Sequence, residues 1–398
     1  MRVNLYFIML IILGIGSLIE IFSEDKAIKK NIYIFLIGVL VIFFGTRNYI
    51  GYDWYNYKPN FEQTQNILEL IKNGFVKDGF EKGYQFYCAT IKLLTSNYII
   101  FNFINTIIDF ILIYFIFKRY SNFPILSLLI FFGVYGLALE IDMIRNVKSI
   151  LLFILSIEYI EDRKILPFIA LNILGFLFHT SSLIYLPMYF ILKIKWNKIF
   201  IFIVFILGNI YYLSNLRLII NGIDKFKEIL PGGIGQKIAV YISLVPKDFP
   251  LGVSLFYIER VVLFIIVFLI SKRLYEKRYG VIFVNSIFLS IFIFLYGAEL
   301  SVITLRIGIL FVYSYWFIVP MFFDIKSAIV IKIFVFILAV SISFFRLNNQ
   351  INFEGNKKVY SYENILLKHQ SLEERKKIVE EASIYHKQSH GRELSLLY

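Results

Sequence analysis

The chain has 398 residues, of which 59% are hydrophobic, 19% aromatic and only 17% charged, with a formal net charge of +13 at pH 7. Soluble domains average about 25% charged residues, and so few charges cannot cover this much apolar surface in water. The composition therefore excludes disordered, fibrous and ordinary cytosolic globular proteins and predicts an all-α, polytopic integral membrane protein. Its positive charge is expected of basic cytoplasmic loops, so no nucleic-acid partner is expected.

Apolar runs that reach or approach the roughly 20 residues of a membrane-crossing helix recur along the chain. They lie near 3–22, 31–45, 98–117, 122–139, 142–160, 164–179, 181–193, 198–214, 252–271, 280–297, 304–323 and 327–345. The first run lacks a small-residue cleavage site, so we expect a retained span and not a signal peptide. The segment 81–96 is amphipathic and is expected to lie in the interface. The prediction is about 12 crossings, or 13 if 81–96 also spans.

The short connections alternate between basic and charge-poor. The basic ones lie at 26–30, 118–119, 163–164, 193–198 and 272–278. The positive-inside rule puts this basic set in the cytoplasm. Two long loops, about 46–80 and 215–251, are then expected on the outer side, where their Gly, Pro and aromatic residues cap the membrane domain.

Composition also divides the chain into a membrane domain, 1–345, and a polar C-terminal tail, 346–398. In the tail, Ser371 with Glu374 three residues later predicts a capping box and a helix over 371–383. Twelve crossings put the tail outside and thirteen put it inside.

Ionisable residues near membrane depth are costly and are therefore functional candidates. Here they fall on the predicted extracytoplasmic half: Arg47, Asp53, Glu140, Asp142, Arg145, His179, Glu259, Arg260, Glu299 and Arg306. Four arginines against few carboxylates favour an anion such as a diphosphate, because Arg binds phosphate bidentately and keeps its charge. The alternative is a set of headgroup or salt-bridge anchors.

Three of these residues are candidates for proton transfer. Glu140 and Asp142 lie in one turn and suit a general base, or else a solvated helix start. His179 suits proton transfer or phosphate binding, or else is a hydrogen-bonded structural residue. The aromatic run around Asp53 suits a sugar ring or an interface belt. Because the chain has one cysteine, Cys88, and no recognisable metal or nucleotide motif, neither a metal nor a cofactor is expected.

Short motifs at consistent spacing carry a family resemblance. They are 45–57 (GTRNYIGYDWYNY), 81–84 (EKGY), 144–146 (IRN), 178–184 (FHTSSLI) and 305–308 (LRIG). The pattern resembles the Wzy-type polysaccharide polymerases, in particular the EpsG-like family of exopolysaccharide and O-antigen polymerases, over roughly 40–320. One departure is that family members often have Arg-Gln and a small residue where this chain has Arg145-Asn146-Val147-Lys148.

The resemblance implies a metal-independent glycosyltransferase that joins undecaprenyl-diphosphate-linked oligosaccharide repeats on the outer face of the bacterial inner membrane. A chain-length regulator and a flippase of the same pathway are the implied partners. Arg145 and Arg306, with Arg47 or Arg260, would hold the leaving diphosphate. The acceptor hydroxyl would lose its proton to Asp142, Glu140 or His179. Asp53 and its neighbouring tyrosines would position the sugar or Arg47.

Two other functions remain open from the sequence. An O-antigen ligase or another lipid-linked glycosyltransferase needs similar arginines and an outer-face site. A polysaccharide flippase is expected to carry charge through the membrane centre and to have two matched halves, and the one-sided charge of this chain disfavours it.

Overall fold

The computed structural model describes residues 4–76, 79–214, 216, 218–219, 221, 252–325, 329–353, 355–367 and 369–388. Over these residues the regular structure is helical, and the extended pairing consists of one isolated antiparallel bridge between Arg47 and Asn364. The predicted all-α class is therefore confirmed. Most of the predicted outer loop 215–251 lies outside the described residues.

The α-helices, numbered in chain order, are α1 Leu5–Phe22, α2 Lys26–Gly45, α3 Trp54–Gln63, α4 Ile67–Asn73, α5 Lys82–Ile91, α6 Tyr98–Tyr120, α7 Pro124–Phe131, α8 Leu137–Ile141, α9 Ile144–Glu161, α10 Ile165–Phe178, α11 Met188–Ile191, α12 Lys198–Ser214, α13 Leu255–Tyr275, α14 Gly280–Gly297, α15 Ser301–Gly308, α16 Tyr313–Phe323, α17 Ile329–Asn352 and α18 Leu372–Gln388. A π-type turn, Phe132–Gly136, joins α7 to α8, and 3₁₀ turns occupy Thr180–Tyr185, Ala298–Leu300 and Ile309–Phe311. Residues 46–53 form the α2–α3 loop, and residues 355–367 form the tail segment.

Seven stretches of the described chain are long and apolar enough to cross a membrane: Leu5–Phe22, Lys26–Gly45, Tyr98–Tyr120, Pro124–Ile141, Gly280–Leu300, Thr304–Phe323 and Ile329–Asn352. Three apolar helical stretches are shorter, namely Ile165–Phe178, Thr180–Ile191 and Lys198–Ser214. This pattern fits a multi-pass membrane protein but does not confirm the predicted count of about 12. The difference has a physical reason, because α9 and α13 are long enough but carry several charged residues each.

Side-chain caps explain where several helices begin. The Asn4 carboxamide accepts the N–H of Tyr6 at the start of α1, and the Asp25 carboxylate accepts the N–H of Ala27 at the start of α2. Such caps satisfy amide groups that have no partner within the first helical turn. The predicted capping box of the tail is confirmed at the start of α18, since Ser371 and Glu374 exchange reciprocal hydrogen bonds of 2.7 and 3.3 Å.

The chain divides into two compact units. The first comprises Met1–Ile191 and Tyr315–Ala382, and the second comprises Leu192–Ser314 and Ser383–Tyr398. The first unit therefore contains the α2–α3 loop, α9, the tail segment and most of α18. The second contains α12 to α15.

The apolar stretch Pro124–Ile141 of the first unit is interrupted. Val134 has φ −112° and ψ 87°, and Tyr135 has a left-handed φ of 67°. The indole N–H of Trp316 donates to the Val134 carbonyl at 3.2 Å, and the guanidinium of Arg346 lies 5.5 Å from the Tyr135 ring centroid. A helix is interrupted at membrane depth only where protein groups satisfy the exposed backbone. The break allows α8 to present Glu140 next to the start of α9.

Candidate functional site

Six of the eight predicted site residues lie in the first unit, at or next to helix ends. They are Arg47 after α2, Asp53 before α3, Glu140 on α8, Asp142 in the α8–α9 turn, Arg145 in the first turn of α9, and His179 after α10. Positions at helix ends let charged groups reach the water side of a membrane protein, whereas the helix bodies pack against apolar side chains.

Arg145 lies among aromatic rings and one carboxylate. Its guanidinium carbon is 4.2 Å from the ring centroid of Phe80, with Tyr57 and Tyr84 rings at 5.7 and 6.0 Å. Its Nη1 forms an ion pair with Glu81, and its Nε donates to the Tyr57 hydroxyl at 3.3 Å. The side chain keeps 18% of its surface exposed. A cation held by ring faces keeps its hydrogen-bonding edge available for an anion.

The Tyr57 hydroxyl contributes an uncharged group to this arrangement. Burial raises the pKa of Tyr57 to about 12, although the positive charge of Arg145 acts in the opposite direction. The phenol therefore stays protonated at neutral pH and accepts the Arg145 N–H through its oxygen. It orients the guanidinium without neutralising its charge.

Glu81 joins Arg145 to the His179 hairpin. One Glu81 oxygen pairs with Arg145, and the other accepts the backbone N–H of Thr180 at 3.4 Å. Gly83 permits this approach, because a Cβ at that position would lie 2.6 Å from the Leu177 carbonyl oxygen of α10. Glu81 was not among the predicted site residues. Its signal in the sequence was the EKGY motif, and only the fold reveals its partners.

His179 caps the 3₁₀ turn that follows it. Its Nδ1 accepts the backbone N–H of Ser181 at 3.3 Å and lies 2.6 Å from the Ser181 hydroxyl, which in turn contacts Asn146 at 3.1 Å. Because a backbone N–H can only donate, the neutral imidazole carries its proton on Nε2. The hydrogen-bonded structural role that the sequence left open is therefore present, and through Ser181 it links the histidine to Asn146, the residue that follows Arg145.

Arg47 has a very different environment. Its guanidinium donates to the carbonyl oxygens of Phe44 and Glu140, at 2.5 and 2.8 Å, and to the Thr106 hydroxyl at 3.1 Å. Only 3% of the residue is exposed. In this geometry Arg47 joins the end of α2 to α6 and α8, and its donors face protein oxygens.

Asp142 organises the α2–α3 loop. Its Oδ1 accepts the backbone N–H groups of Tyr52 and Asp53 at 2.6 and 3.1 Å, and its Oδ2 accepts the hydroxyl of Tyr360 in the tail segment. Gly51 has a left-handed φ of 83°, and a Cβ there would collide with the Asp142 carboxylate. The loop can close on this carboxylate only with glycine at position 51.

Glu140 and its neighbours form a buried charged cluster. Glu140 is fully buried, and neither carboxylate oxygen accepts a hydrogen bond from the described residues. Nearby, Lys148 pairs with Asp109 at 2.9 Å and donates to Asn105 at 2.6 Å. Lys148 follows Asn146 and Val147, the two positions at which the chain departs from the family pattern. The sequence suggested neither Lys148 nor Asp109 as a site residue.

The tail segment and α18 provide hydrogen-bond partners for backbone groups of the α2–α3 loop. Asn48 and Gly51 donate their backbone N–H groups to the carbonyls of Glu363 and Val359, at 2.9 and 3.2 Å. The fully buried Arg375 of α18 donates to the Tyr49 carbonyl at 2.6 Å and to the Val359 carbonyl at 2.5 Å. No motif in the sequence pointed to this docking.

The second unit holds the other two predicted arginines. Arg260 of α13 is buried, lies 4.0 Å from the Phe294 ring centroid and donates to the Phe256 carbonyl at 3.1 Å. Arg306 of α15 is exposed. In the same unit Glu299 accepts the Tyr211 hydroxyl. The predicted convergence of four arginines on one anion remains a prediction.

Among the described residues, no three His, Cys, Asp or Glu side chains are placed to hold a metal ion. The first unit instead offers a cationic, aromatic-lined position at Arg145, next to a carboxylate and a histidine. Such a position can bind an anionic group and hold or accept a proton beside it.

Helices of this length and apolarity fit a multi-pass membrane protein. The model of the EpsG family matches residues 30–364, and the chain belongs to this family, which confirms the resemblance stated from the motifs. The family indicates a membrane protein of the polysaccharide polymerase type. No significant match was found among curated proteins or among solved structures.

Proposed function

We propose that this protein joins undecaprenyl-diphosphate-linked oligosaccharide repeat units into a surface polysaccharide on the outer face of the bacterial inner membrane. Family membership supports the polymerase class. The observation that carries the specific chemistry is the partly exposed Arg145 guanidinium, with aromatic rings around it and Glu81 and the His179 hairpin beside it.

Arg145 is suited to the leaving diphosphate. When a glycan leaves its lipid carrier, negative charge develops on the diphosphate, and a fixed cation stabilises that charge most in a site with little water. Arg145 keeps its charge at any physiological pH and offers two parallel N–H donors. The rings of Phe80 and Tyr57 hold it in place without neutralising it.

The predicted proton acceptors differ in access. Glu140 is fully buried, and both oxygens of Asp142 accept hydrogen bonds from Tyr52, Asp53 and Tyr360. These contacts favour a positioning role for Asp142. His179 is the most accessible of the three, but its Nδ1 already accepts the Ser181 N–H, so it too is better suited to positioning.

The remaining predicted residues have assigned roles in this proposal. Arg47 and Asp53 position the α2–α3 loop, whose aromatic residues face sugar. The predicted diphosphate-binding role of Arg260 and Arg306, which belong to the second unit, remains a prediction. The reaction needs no metal ion, and a chain-length regulator and a flippase of the same pathway are the partners. A chelator should therefore leave polymerisation in isolated membranes unchanged.

The decisive experiment expresses Arg145→Ala in a strain that lacks this protein. Gels of surface polysaccharide should lose long chains, and extracts should accumulate single lipid-linked repeats. Unchanged long-chain polymer contradicts the proposal. Accumulation of long lipid-linked polymer would instead indicate the ligase function, because a ligase acts after the chain has grown. Repeats confined to the cytoplasmic leaflet would indicate a flippase.

A further inference from the structure

We propose that Glu81 is the exchangeable carboxylate of this site. It pairs with Arg145 before the lipid-linked donor arrives, is displaced by the donor's diphosphate, and then accepts the proton of the acceptor hydroxyl. This inference rests on the proposed function and adds to it a residue that neither the predicted site nor the family match assigns.

The Arg145–Glu81 ion pair is accessible from outside the protein core. The Arg145 and Glu81 side chains keep 18% and 16% of their surfaces exposed, so their ion pair lies at the edge of the protein and not in its core. A partly exposed ion pair is held less firmly than a buried one. A ligand can therefore replace this carboxylate more easily than a carboxylate in the core. The Lys148–Asp109 pair, at 4% and 0% exposure, offers no such exchange.

The Glu81 carboxylate and the donor's diphosphate compete for the Arg145 guanidinium. A diphosphate carries more charge than a carboxylate and presents more acceptor oxygens to the Arg fork. The Phe80 ring centroid lies 4.2 Å from the Arg145 guanidinium carbon, and the donor Nη1 pairs with Glu81 or with its replacement. The ring holds Arg145 in place during the exchange.

Glu81 stays at the site after it is displaced from Arg145. Its second oxygen accepts the Thr180 N–H at 3.4 Å, and its main chain caps the start of α5, so the carboxylate remains beside the His179 hairpin. The oxygen that Arg145 releases is then available to accept a proton. Arrival of the donor would therefore uncover the group that takes the proton.

The chemistry balances with these groups alone. The acceptor hydroxyl oxygen forms a bond to the anomeric carbon of the donor glycan. The bond from that carbon to the diphosphate oxygen breaks, and its electron pair stays on the diphosphate, whose charge Arg145 offsets. The hydroxyl proton passes to Glu81 and from there to water.

The test uses the full-length protein in lipid nanodiscs, with undecaprenyl diphosphate as the binding probe and lipid-linked repeats as the substrate. Glu81→Gln removes the competing charge, so it should bind the probe about two- to fivefold more tightly, as expected when a partly exposed ion pair no longer competes. Its turnover number should fall about 10²–10⁴-fold, as expected for loss of a proton acceptor. Glu81→Asp should keep at least tenfold more activity than Glu81→Gln.

The matched control is Glu62→Gln, which removes an exposed glutamate that pairs with Lys58 at 2.7 Å on α3. It should change neither binding nor turnover. Thermal unfolding of each variant identifies loss of fold. A purely structural Glu81 predicts weaker binding together with lower activity, so unchanged or weaker binding by Glu81→Gln overturns the proposal. Retention of more than about half of the turnover overturns it as well.

Arg145→Ala separates this inference from the proposed function. If Arg145→Ala binds the probe and polymerises normally, the proposed function itself fails. If Arg145→Ala loses both while Glu81→Gln behaves as wild type, the polymerase function stands and only the role of Glu81 is wrong.

Discussion

Arg47 and Arg145 carry the same group in the same unit, yet their surroundings differ in kind. Arg47 is buried and donates to the carbonyls of Phe44 and Glu140. Arg145 is partly exposed and pairs with Glu81 among aromatic rings. The backbone carbonyls that accept from Arg47 are fixed by the fold, whereas the partly exposed Glu81 side chain can move away from Arg145. The comparison shows that an arginine near membrane depth is a candidate ligand only if its partner can be exchanged.

The same distinction separates the acids. Asp142 accepts backbone N–H groups that fix the α2–α3 loop, and Asp109 is fully buried against Lys148. Removal of either would leave groups in the interior without partners. Glu81 instead lies at the edge of the protein. Substitutions should therefore have different effects at charges whose partners can be exchanged and at charges that the fold holds fixed.

The largest expected effect is on stability. Arg47→Ala removes the buried side-chain hydrogen bonds to Phe44, Glu140 and Thr106 and the positive charge near Glu140 and Asp109, so it should cost about 3–5 kcal/mol of unfolding free energy. Arg145→Ala should cost less, about 1–2 kcal/mol, because it removes only a partly exposed ion pair and ring contacts. Apparent unfolding temperatures in detergent measure both. Equal losses in the two variants would remove the distinction between fixed and exchangeable arginines.

A smaller effect is expected from Gly51→Ala. The left-handed φ of 83° strains any residue with a Cβ, and that Cβ would collide with Asp142. The loop must then move away from the carboxylate, at a cost of about 1–3 kcal/mol. Polymerisation and thermal stability should fall together. The matched substitution Gly74→Ala, at a position with φ 81° and open space around it, should show the strain alone.

Arg145→Lys tests the geometry of the exchangeable cation. Lysine keeps the charge but loses the planar fork and most of the ring stacking. We expect about a tenfold lower rate of polymerisation with an unchanged unfolding temperature. A rate equal to that of wild type would mean that Arg145 acts only as a point charge.

The smallest effect is expected from Tyr57→Phe. The change removes one hydroxyl that accepts from Arg145 and keeps the ring, so it should cost about 0.5–1.5 kcal/mol in transition-state stabilisation. Steady-state polymerisation with lipid-linked repeats measures this cost. Because burial keeps the pKa of Tyr57 near 12, the pH dependence between pH 6 and pH 9 should be the same in both proteins. A changed pH profile would give the phenol a proton-transfer role.

Much of the fold was predictable, because the signals are local. Apolar length marks the helices, and the spacing of Ser371 and Glu374 marks the start of α18. Family membership followed from motifs that the family match then confirmed over 30–364. The span count was less accessible, because α9 and α13 combine membrane length with charge.

The site was predictable only in part, because its pairings are distant in sequence. Glu140 and Asp142 are two residues apart, and this spacing suggested that the two acids act together. Because α8 ends between them, Glu140 lies in the interior and Asp142 contacts the α2–α3 loop. Glu81 and Arg145 are 64 residues apart, and no periodicity connects them. Arg375 gave no signal, since its acceptors are backbone carbonyls that any sequence supplies.

The docking of the tail has a consequence for the order of biosynthesis. Tyr49 and Arg375 are 326 residues apart, so at about 5–20 residues per second the ribosome needs roughly 16–65 s to reach the partner of a loop made early. During that interval the loop's backbone groups must stay hydrated. A nascent chain stopped before Arg375 is thus expected to insert its helices and yet lack a formed α2–α3 loop, which ties formation of the site to synthesis of α18.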